Sequence, residues 1–83
     1  MRFSLKTMSR LTDLPSGERA ALLEIGGERS FRRRLMELGL LPGTQVRLVR
    51  RVDIGDLLEV EVRGSHLSLR RGDASLLTVR PLA

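Results

Sequence analysis

One segment, residues 34–44, constrains the fold more than any other, because it ends the only helical pattern in the chain and begins a strand-like half. Phe31, Leu35 and Leu38 recur at helical spacing and predict one apolar face of a helix. Gly39 follows directly, where the C-terminus of a helix favours a residue that tolerates positive φ. The sequence therefore predicts that the helix ends at Leu38.

A tight turn is predicted shortly after this helix end. Pro42 presets φ for the first central position of a β-turn, and Gly43 suits the positive φ of the second central position in a type II turn. Upstream, Glu28 opens the helical pattern, where the helix dipole favours an acidic residue. We expect a helix over 28–38 and a strand in a new direction from Thr44 onward.

Alternating apolar residues and turn clusters predict strands on both sides of the helix. Residues 11–25 are interpreted as strand, turn, strand around Pro15-Ser16-Gly17. In 44–52, Val49 breaks the alternation, and a bulge near residues 50–51 would restore it. Because a small flat sheet would leave both edges open, we predict a mainly β fold, a small, highly curved five-stranded barrel with one α-helix inserted after the second strand.

The clearest hairpin lies in the second half of the chain, with Gly64 and Ser65 as its predicted turn residues. In that register Val62 faces Leu67, and the aliphatic residues of both strands share one face. His66 would then point outward. One register satisfies the apolar and the charged face together.

The length of 83 residues, of which 41% are hydrophobic, suits one domain with a thin aliphatic core. We assign residues 1–10 to an N-terminal arm that could lend a short edge strand, and residues 11–83 to a single barrel domain. The absence of cysteine removes disulfides and thiolate metal sites together. No apolar run approaches the roughly 18 residues that a membrane span needs, so we expect no direct membrane insertion.

Arginine dominates the charge of the chain. Fifteen lysine and arginine residues stand against ten acidic residues, for a formal net charge of +5, and fourteen of the fifteen are arginine. Such a bias suits an acidic protein, a phosphate-bearing partner or an anionic membrane surface, although a basic surface that only keeps the protein in solution is an equal alternative. Aromatic residues make up 2% of the chain, which leaves few faces for stacking nucleic-acid bases, so we do not expect nucleic acid as the partner.

Candidate catalytic groups are scarce. The chain has a single histidine, His66, and no serine lies in a nucleophile-elbow context, so we expect no enzyme and no cofactor. Gly26-Gly27-Glu28 lacks the Lys-Ser/Thr of a phosphate-binding loop and is interpreted as a simple turn. His66 and Glu61 are weak surface candidates for a metal ligand. They could capture a divalent ion adventitiously, but a stable site usually needs three or four ligands.

Several short motifs of this chain match one known family. They are Arg34-Leu35, Leu38-Gly39-Leu40, Pro42-Gly43-Thr44, Gly55-Asp56 and Leu67-Ser68-Leu69-Arg70 with Ala74. With these motifs the chain resembles the FeoA family, small cytoplasmic proteins with an SH3-like barrel that accompany the ferrous iron transporter FeoB in bacteria. The resemblance covers nearly the whole length. A similar domain is joined to a DNA-binding helix pair in some metal-dependent repressors, and this chain resembles the stand-alone accessory more closely.

The resemblance implies a non-enzymatic, cytoplasmic accessory of ferrous iron uptake that binds the cytoplasmic GTP-binding part of FeoB. The helix carries an arginine cluster, and two adjacent leucines in a tight turn can hardly both be buried. The partner-contact candidates are therefore Arg32, Arg33, Leu40 and Leu41. The residues expected to form the structural motif are Arg34, Leu35, Leu38, Gly39, Pro42 and Gly43.

Other interpretations stay open at this point. The arginine cluster could be a solvated helix face, and Leu40 could plug the end of the barrel while Leu41 shields it. An arginine could instead act in trans on nucleotide phosphates, which would make the chain a GTPase-activating regulator. Charge alone would also suit a basic nucleic-acid-binding module, whose DNA affinity would depend steeply on salt. Weak self-association is compatible with each of these.

Overall fold

The computed structural model describes residues 8–82, which form a six-stranded antiparallel sheet and two helices. The elements are β1 (Ser9–Arg10), β2 (Arg19–Ile25), α1 (Arg29–Glu37), β3 (Gln45–Val52), β4 (Leu57–Val62), β5 (Ser65–Arg70), α2 (Arg71–Ala74) and β6 (Leu77–Pro81). The strand order is β1-β6-β2-β3-β4-β5. The mainly β fold with a helix after the second strand is confirmed. The structure has six strands where five were predicted. Within residues 8–82, β1 and β5 are the two edges of the sheet, and no hydrogen bonds between them close the sheet into a barrel.

The N-terminal region differs from its prediction in one element. Residues 9–10 supply the edge strand expected of the arm, with β1 paired to β6, while residues 1–7 lie outside the described part. The strand predicted from residue 11 is wrong, because Leu11–Asp13 form a 3-10 turn closed by the Leu14 N–H donating to the Leu11 carbonyl at 3.1 Å. Both leucines are buried in the core.

A distant arginine holds this turn in place. The Arg51 guanidinium on β3 donates from Nη2 to the carbonyls of Thr12, at 2.6 Å, and Leu14, at 2.7 Å. Hydrogen bonds from a charged donor are stronger than neutral ones. Because Arg51 is distant in the sequence, the local pattern around Leu11 does not reveal this contact, and that pattern alone suggested a strand.

Gly39 follows the C-cap of α1 with a positive φ, as predicted, and the helix ends in a Schellman motif. The Leu40 N–H donates to the Leu35 carbonyl and the Gly39 N–H to the Met36 carbonyl, each at 3.0 Å, with Gly39 at φ +101°. Leu35 and Leu40 are both buried, which supplies the apolar contact typical of this motif. Leu38 was expected on the same buried face, but it is the C-cap residue, where the chain leaves the helix, and its side chain is 55% exposed.

The predicted turn after α1 is confirmed. The Thr44 N–H donates to the Leu41 carbonyl at 2.9 Å, and Gly43 has φ +90°, as the second central position of a type II turn requires. The turn is joined to β2, because the Gly43 N–H donates to the Leu22 carbonyl at 2.6 Å and the Leu22 N–H to the Thr44 carbonyl at 2.8 Å. This pairing sets the direction in which β3 leaves the helix.

The β4–β5 hairpin forms, but its register differs from the prediction by two positions. Its turn residues are Arg63 and Gly64, with φ of +52° and +81°, which matches a type I′ turn. Leu67 therefore lies opposite Val60 rather than Val62. Because a shift of two preserves the alternation of faces, the aliphatic side chains still point into the core.

The bulge in β3 lies one residue earlier than predicted, between Leu48 and Arg50 in the pairing with β4. The strands of the sheet and α1 enclose a single aliphatic core. The core residues are Leu11, Leu14, Ala20, Leu22, Ile25, Leu35, Leu40, Val46, Leu48, Leu58, Val60, Val62, Leu69, Ala74, Leu77 and Val79.

Candidate functional site

Helix α1 has one face on the core and one face in solvent. Leu35 packs into the core and Phe31 packs against it. At 100° per residue, the positions i, i+3, i+4, i+7 and i+8 from residue 29 lie on the opposite side. We call this side the α1 outer face; it lines a depression of about 400 Å³ and consists of Arg29, Arg32, Arg33, Met36 and Glu37.

The arginines of α1 fall into two groups. The Arg32 Nη1 donates to the Gly27 carbonyl at 2.6 Å, and the Arg34 guanidinium lies 5.9 Å from the centre of the Phe31 ring, so both are engaged within the chain. Arg29 and Arg33 are exposed and make no hydrogen bond or ion pair with another side chain in residues 8–82. With respect to residues 8–82, Arg29 and Arg33 are therefore the free cations of the helix.

The two adjacent leucines after the helix have opposite surroundings. Leu40 is fully buried, so it is withdrawn from the partner-contact candidates, whereas Leu41 is 39% exposed. Sequence reasoning missed two further exposed apolar residues, Met36 and Leu38. The position of Met36, three residues after Arg33 on the same helix face, was the available signal. Three of the six exposed large apolar side chains, Met36, Leu38 and Leu41, thus lie at the C-terminal end of α1, whereas Met8, Ile54 and Leu76 lie elsewhere.

Charged residues on the outer side of the sheet form a continuous ladder across β3, β4 and β5. Arg47 donates from Nη2 to Glu61 at 2.7 Å, and Arg50 donates from Nε to Glu59 at 2.8 Å. Between the two carboxylates, His66 donates from Nδ1 to Glu59 at 3.0 Å, and its Nε2 lies 3.9 Å from Glu61. His66 points outward as predicted, directly opposite Glu61.

The ladder does not supply a metal site. Within residues 8–82 no group of three or more His, Cys, Asp or Glu residues is arranged to hold a metal ion. Glu59 and Glu61 each face an arginine as well as His66, so their oxygens already accept hydrogen bonds or ion pairs. His66 and Glu61 are thus members of a charge ladder on the outer side of the sheet.

Glu59 makes the ladder sensitive to acid. Hydrogen bonds from Arg50 and then from His66 lower the pKa of Glu59 below its ordinary value of 4.5. Since the folded-state pKa is the lower one, this carboxylate stabilises the fold above its ordinary pKa, and that contribution is lost as the pH falls through the folded-state pKa. The melting temperature of the parent is expected to fall more steeply between about pH 5 and pH 3 than that of Glu59→Gln.

Thermal unfolding followed by circular dichroism across this pH range measures the difference. Glu24→Gln is the matched control, because Glu24 is an exposed carboxylate of β2 without an ion pair in the described part of the chain. The control should keep the slope of the parent. A Glu59→Gln profile as steep as that of the parent would contradict the assignment.

The fold and the site together define a class, a small antiparallel β domain that presents an arginine-rich helix face. A family model described as FeoA domain matches residues 9–81. The chain therefore belongs to the FeoA domain family, whose members are non-enzymatic accessory domains associated with ferrous iron uptake. No helix within residues 8–82 is long and apolar enough to cross a bilayer.

Individual relatives agree with this assignment. The chain is 30% identical over 70 residues to an Fe(2+) transport protein A/Fe(2+) transporter FeoB fusion protein of Porphyromonas gingivalis (strain ATCC BAA-308 / W83), a match that covers 84% of this chain but 8% of the relative. The solution structure of FeoA protein from Chlorobium tepidum is 39% identical with a TM-score of 0.85, over 90% of this chain and 71% of that chain. A manganese-dependent transcriptional repressor shares the fold alone, with a TM-score of 0.83 at 15% identity over 95% of this chain and 44% of that chain.

Proposed function

We propose that the chain is an accessory of ferrous iron uptake that binds, through the α1 outer face and Leu41, to the cytoplasmic GTP-binding part of the FeoB transporter. The proposal places the protein in the cytoplasm. The observation that carries it is the composition of this face, where Met36 is exposed beside two arginines that have no acidic partner in residues 8–82.

The chemistry of the face supports an acidic protein partner. Aromatic residues, methionine and arginine are enriched at protein interfaces, where an apolar centre is surrounded by polar contacts. Met36 and Leu41, 40% and 39% exposed, offer that centre, and Arg29 and Arg33 offer guanidinium groups for carboxylates. Electrostatic attraction of this kind would raise the association rate and weaken with salt.

The fusion protein from Porphyromonas gingivalis gives independent support. In that relative one chain carries both Fe(2+) transport protein A and the transporter FeoB. Tethering two partners raises their effective concentration into the millimolar range for short linkers, so even a weak contact is populated. A FeoA domain that is not tethered to FeoB would need its own docking surface to reach the same arrangement.

Titration of the parent chain with the isolated GTP-binding domain of FeoB tests the proposal. We expect a saturable complex whose dissociation constant rises with salt, and which Arg33→Glu and Leu41→Glu each weaken about tenfold or more, because each places a negative charge in the contact. Isothermal titration calorimetry gives the dissociation constants.

The matched control is Arg80→Glu, which changes the net charge equally at an exposed position of β6. This variant should bind like the parent. Failure of the parent to form a complex would overturn the proposal, as would equal weakening by Arg33→Glu and Arg80→Glu.

The contacts of the α1 arginines also reduce the number of candidates for an arginine that acts in trans on GTP. Arg32 and Arg34 are engaged within the chain, so Arg29 and Arg33 are the residues free to approach a nucleotide phosphate. Such an arginine raises GTP hydrolysis by orders of magnitude. An assay of FeoB GTP hydrolysis in which the parent gives no stimulation removes this alternative.

A further inference from the structure

A second cationic site lies where the first residues of β2 and β3 meet the β4–β5 turn. A cavity of about 290 Å³ opens there, lined by Arg19, Arg47 and Arg63 together with Gln45 and Glu61. We propose that these three arginines bind a phosphate group carried by a small molecule. The site is separate from the partner contact proposed above, because no residue of the α1 outer face lines this cavity.

Among residues 8–82, the charge of the cavity is not balanced. Arg19 and Arg47 lie directly opposite each other in the β2–β3 pairing, where like charges destabilise a sheet. Glu61 offsets one of them through its 2.7 Å ion pair with Arg47. Arg19 and Arg63 have no carboxylate partner among residues 8–82. Three positive charges and one negative charge leave about two in excess, which favours a dianion.

The backbone of Arg63 is a second, independent observation. It occupies the first central position of the type I′ turn with φ +52°, a conformation that favours Asn, Asp or Gly over other residues. The residue pairs of the β4–β5 hairpin hold Arg63 in this sparsely populated conformation, and residues held in this way are frequent at functional sites. Here the Arg63 side chain lines the cavity together with Gln45, at the end of the paired strands β3 and β4.

The chemistry of guanidinium groups and the size of the cavity favour a phosphate ester. The planar guanidinium fork donates two parallel N–H groups to two oxygens of a phosphate, which gives direction as well as charge. A volume of about 290 Å³ lies at the lower end of small-molecule sites. The cavity therefore suits a small phosphorylated molecule, and the Gln45 amide can donate to a further oxygen.

Nuclear magnetic resonance titration of the full chain tests this site, with inorganic phosphate and glycerol 3-phosphate as probes at an ionic strength held constant with chloride. We expect saturable shifts of the backbone amides of Arg19, Arg47 and Gly64. Tighter binding of the ester supports the phosphorylated small molecule, whereas equal binding would overturn that ligand in favour of free inorganic phosphate. Absence of saturable shifts, or shifts spread over all arginines, would overturn the site.

Arg63→Asn separates binding from folding, because it removes the charge at a position where the turn prefers asparagine. We expect about tenfold weaker phosphate affinity, the usual loss of a charged hydrogen-bond donor, with an unchanged or higher melting temperature. Arg33→Ala on α1 is the matched control and should keep the affinity of the parent. Equal affinities of the parent and Arg63→Asn would rule the proposal out, whatever the outcome of the FeoB titration.

Discussion

Replacement of Leu40 by alanine is expected to lower the free energy of unfolding by about 2–5 kcal/mol, the range for a buried leucine whose cavity closes only in part. Leu40 is fully buried and packs at the end of α1, where its N–H also closes the Schellman motif with the Leu35 carbonyl. Domains of this size are held folded by only about 5–15 kcal/mol. A single substitution here should therefore move the urea midpoint strongly, with an unchanged m-value.

Leu38→Ala is the matched control for this experiment, since the same side chain is removed two positions earlier. Leu38 is 55% exposed, and surface substitutions usually change stability by less than about 0.5 kcal/mol. Equilibrium urea unfolding of the two variants gives the comparison directly. A loss for Leu38→Ala as large as that for Leu40→Ala would mean that Leu38 also packs in the core, as the helical spacing alone had indicated.

The second large effect is expected at Gly27, in the loop before α1. Gly27 has φ +90°, and a Cβ there would lie 3.0 Å from Leu76 Cδ1 and 3.1 Å from Phe31 Cδ2. Gly27→Ala should therefore destabilise the fold by about 2 kcal/mol, because a left-handed conformation costs about 1–2 kcal/mol for a residue with Cβ and the neighbours must also move. Thermal unfolding measures the loss.

Gly72→Ala provides the opposite expectation. Gly72 lies in α2, has no positive φ, and an added Cβ would meet nothing within 4 Å. Alanine there should leave the stability unchanged or raise it by about 0.4–1 kcal/mol, because it reduces the freedom of the unfolded chain. If both glycine variants lost stability equally, the cause would not be the backbone conformation of Gly27.

The parts of the fold that follow from local chemistry were predictable. Gly39 and Pro42-Gly43 set the end of α1 and the type II turn through their own φ preferences, and both features are present. The aliphatic alternation of β4 and β5 likewise set which side chains face the core. These features depend on residues close together in the chain.

The errors arose where distant contacts compete with local preference. The β4–β5 turn uses Arg63-Gly64, although an arginine disfavours positive φ, because this register joins the two strands through six residue pairs, including Leu58 with Leu69. The segment from Leu11 forms a 3-10 turn held by Arg51, which is about forty positions away and therefore absent from any local pattern. Local conformational propensities do not include these long-range contacts, so they could not predict the hairpin register or the 3-10 turn.

The candidate site was predicted in part. The arginine cluster and an exposed leucine after the helix were recognisable from the sequence, but which leucine is exposed was not, since both neighbours have the same side chain. The Schellman motif turns the N–H and side chain of Leu40 back toward Leu35, and this leaves Leu41 outside. The partner-contact role of Arg32, Arg33 and Leu41 stays a prediction until the FeoB titration is made.

The sequence by itself determined the boundaries of α1 to within one residue, the two glycine-dependent turns and the apolar faces, because these follow from φ preferences and from the periods of helix and strand. Only the tertiary structure decided the hairpin register, the burial of Leu40, and which arginines are free. Each of these depends on groups that are distant in the chain and compete for the same space or the same acceptor. In the segment that ends α1, the conformation of Gly39 follows from its local φ preference, whereas the burial of Leu40 depends on packing in the core.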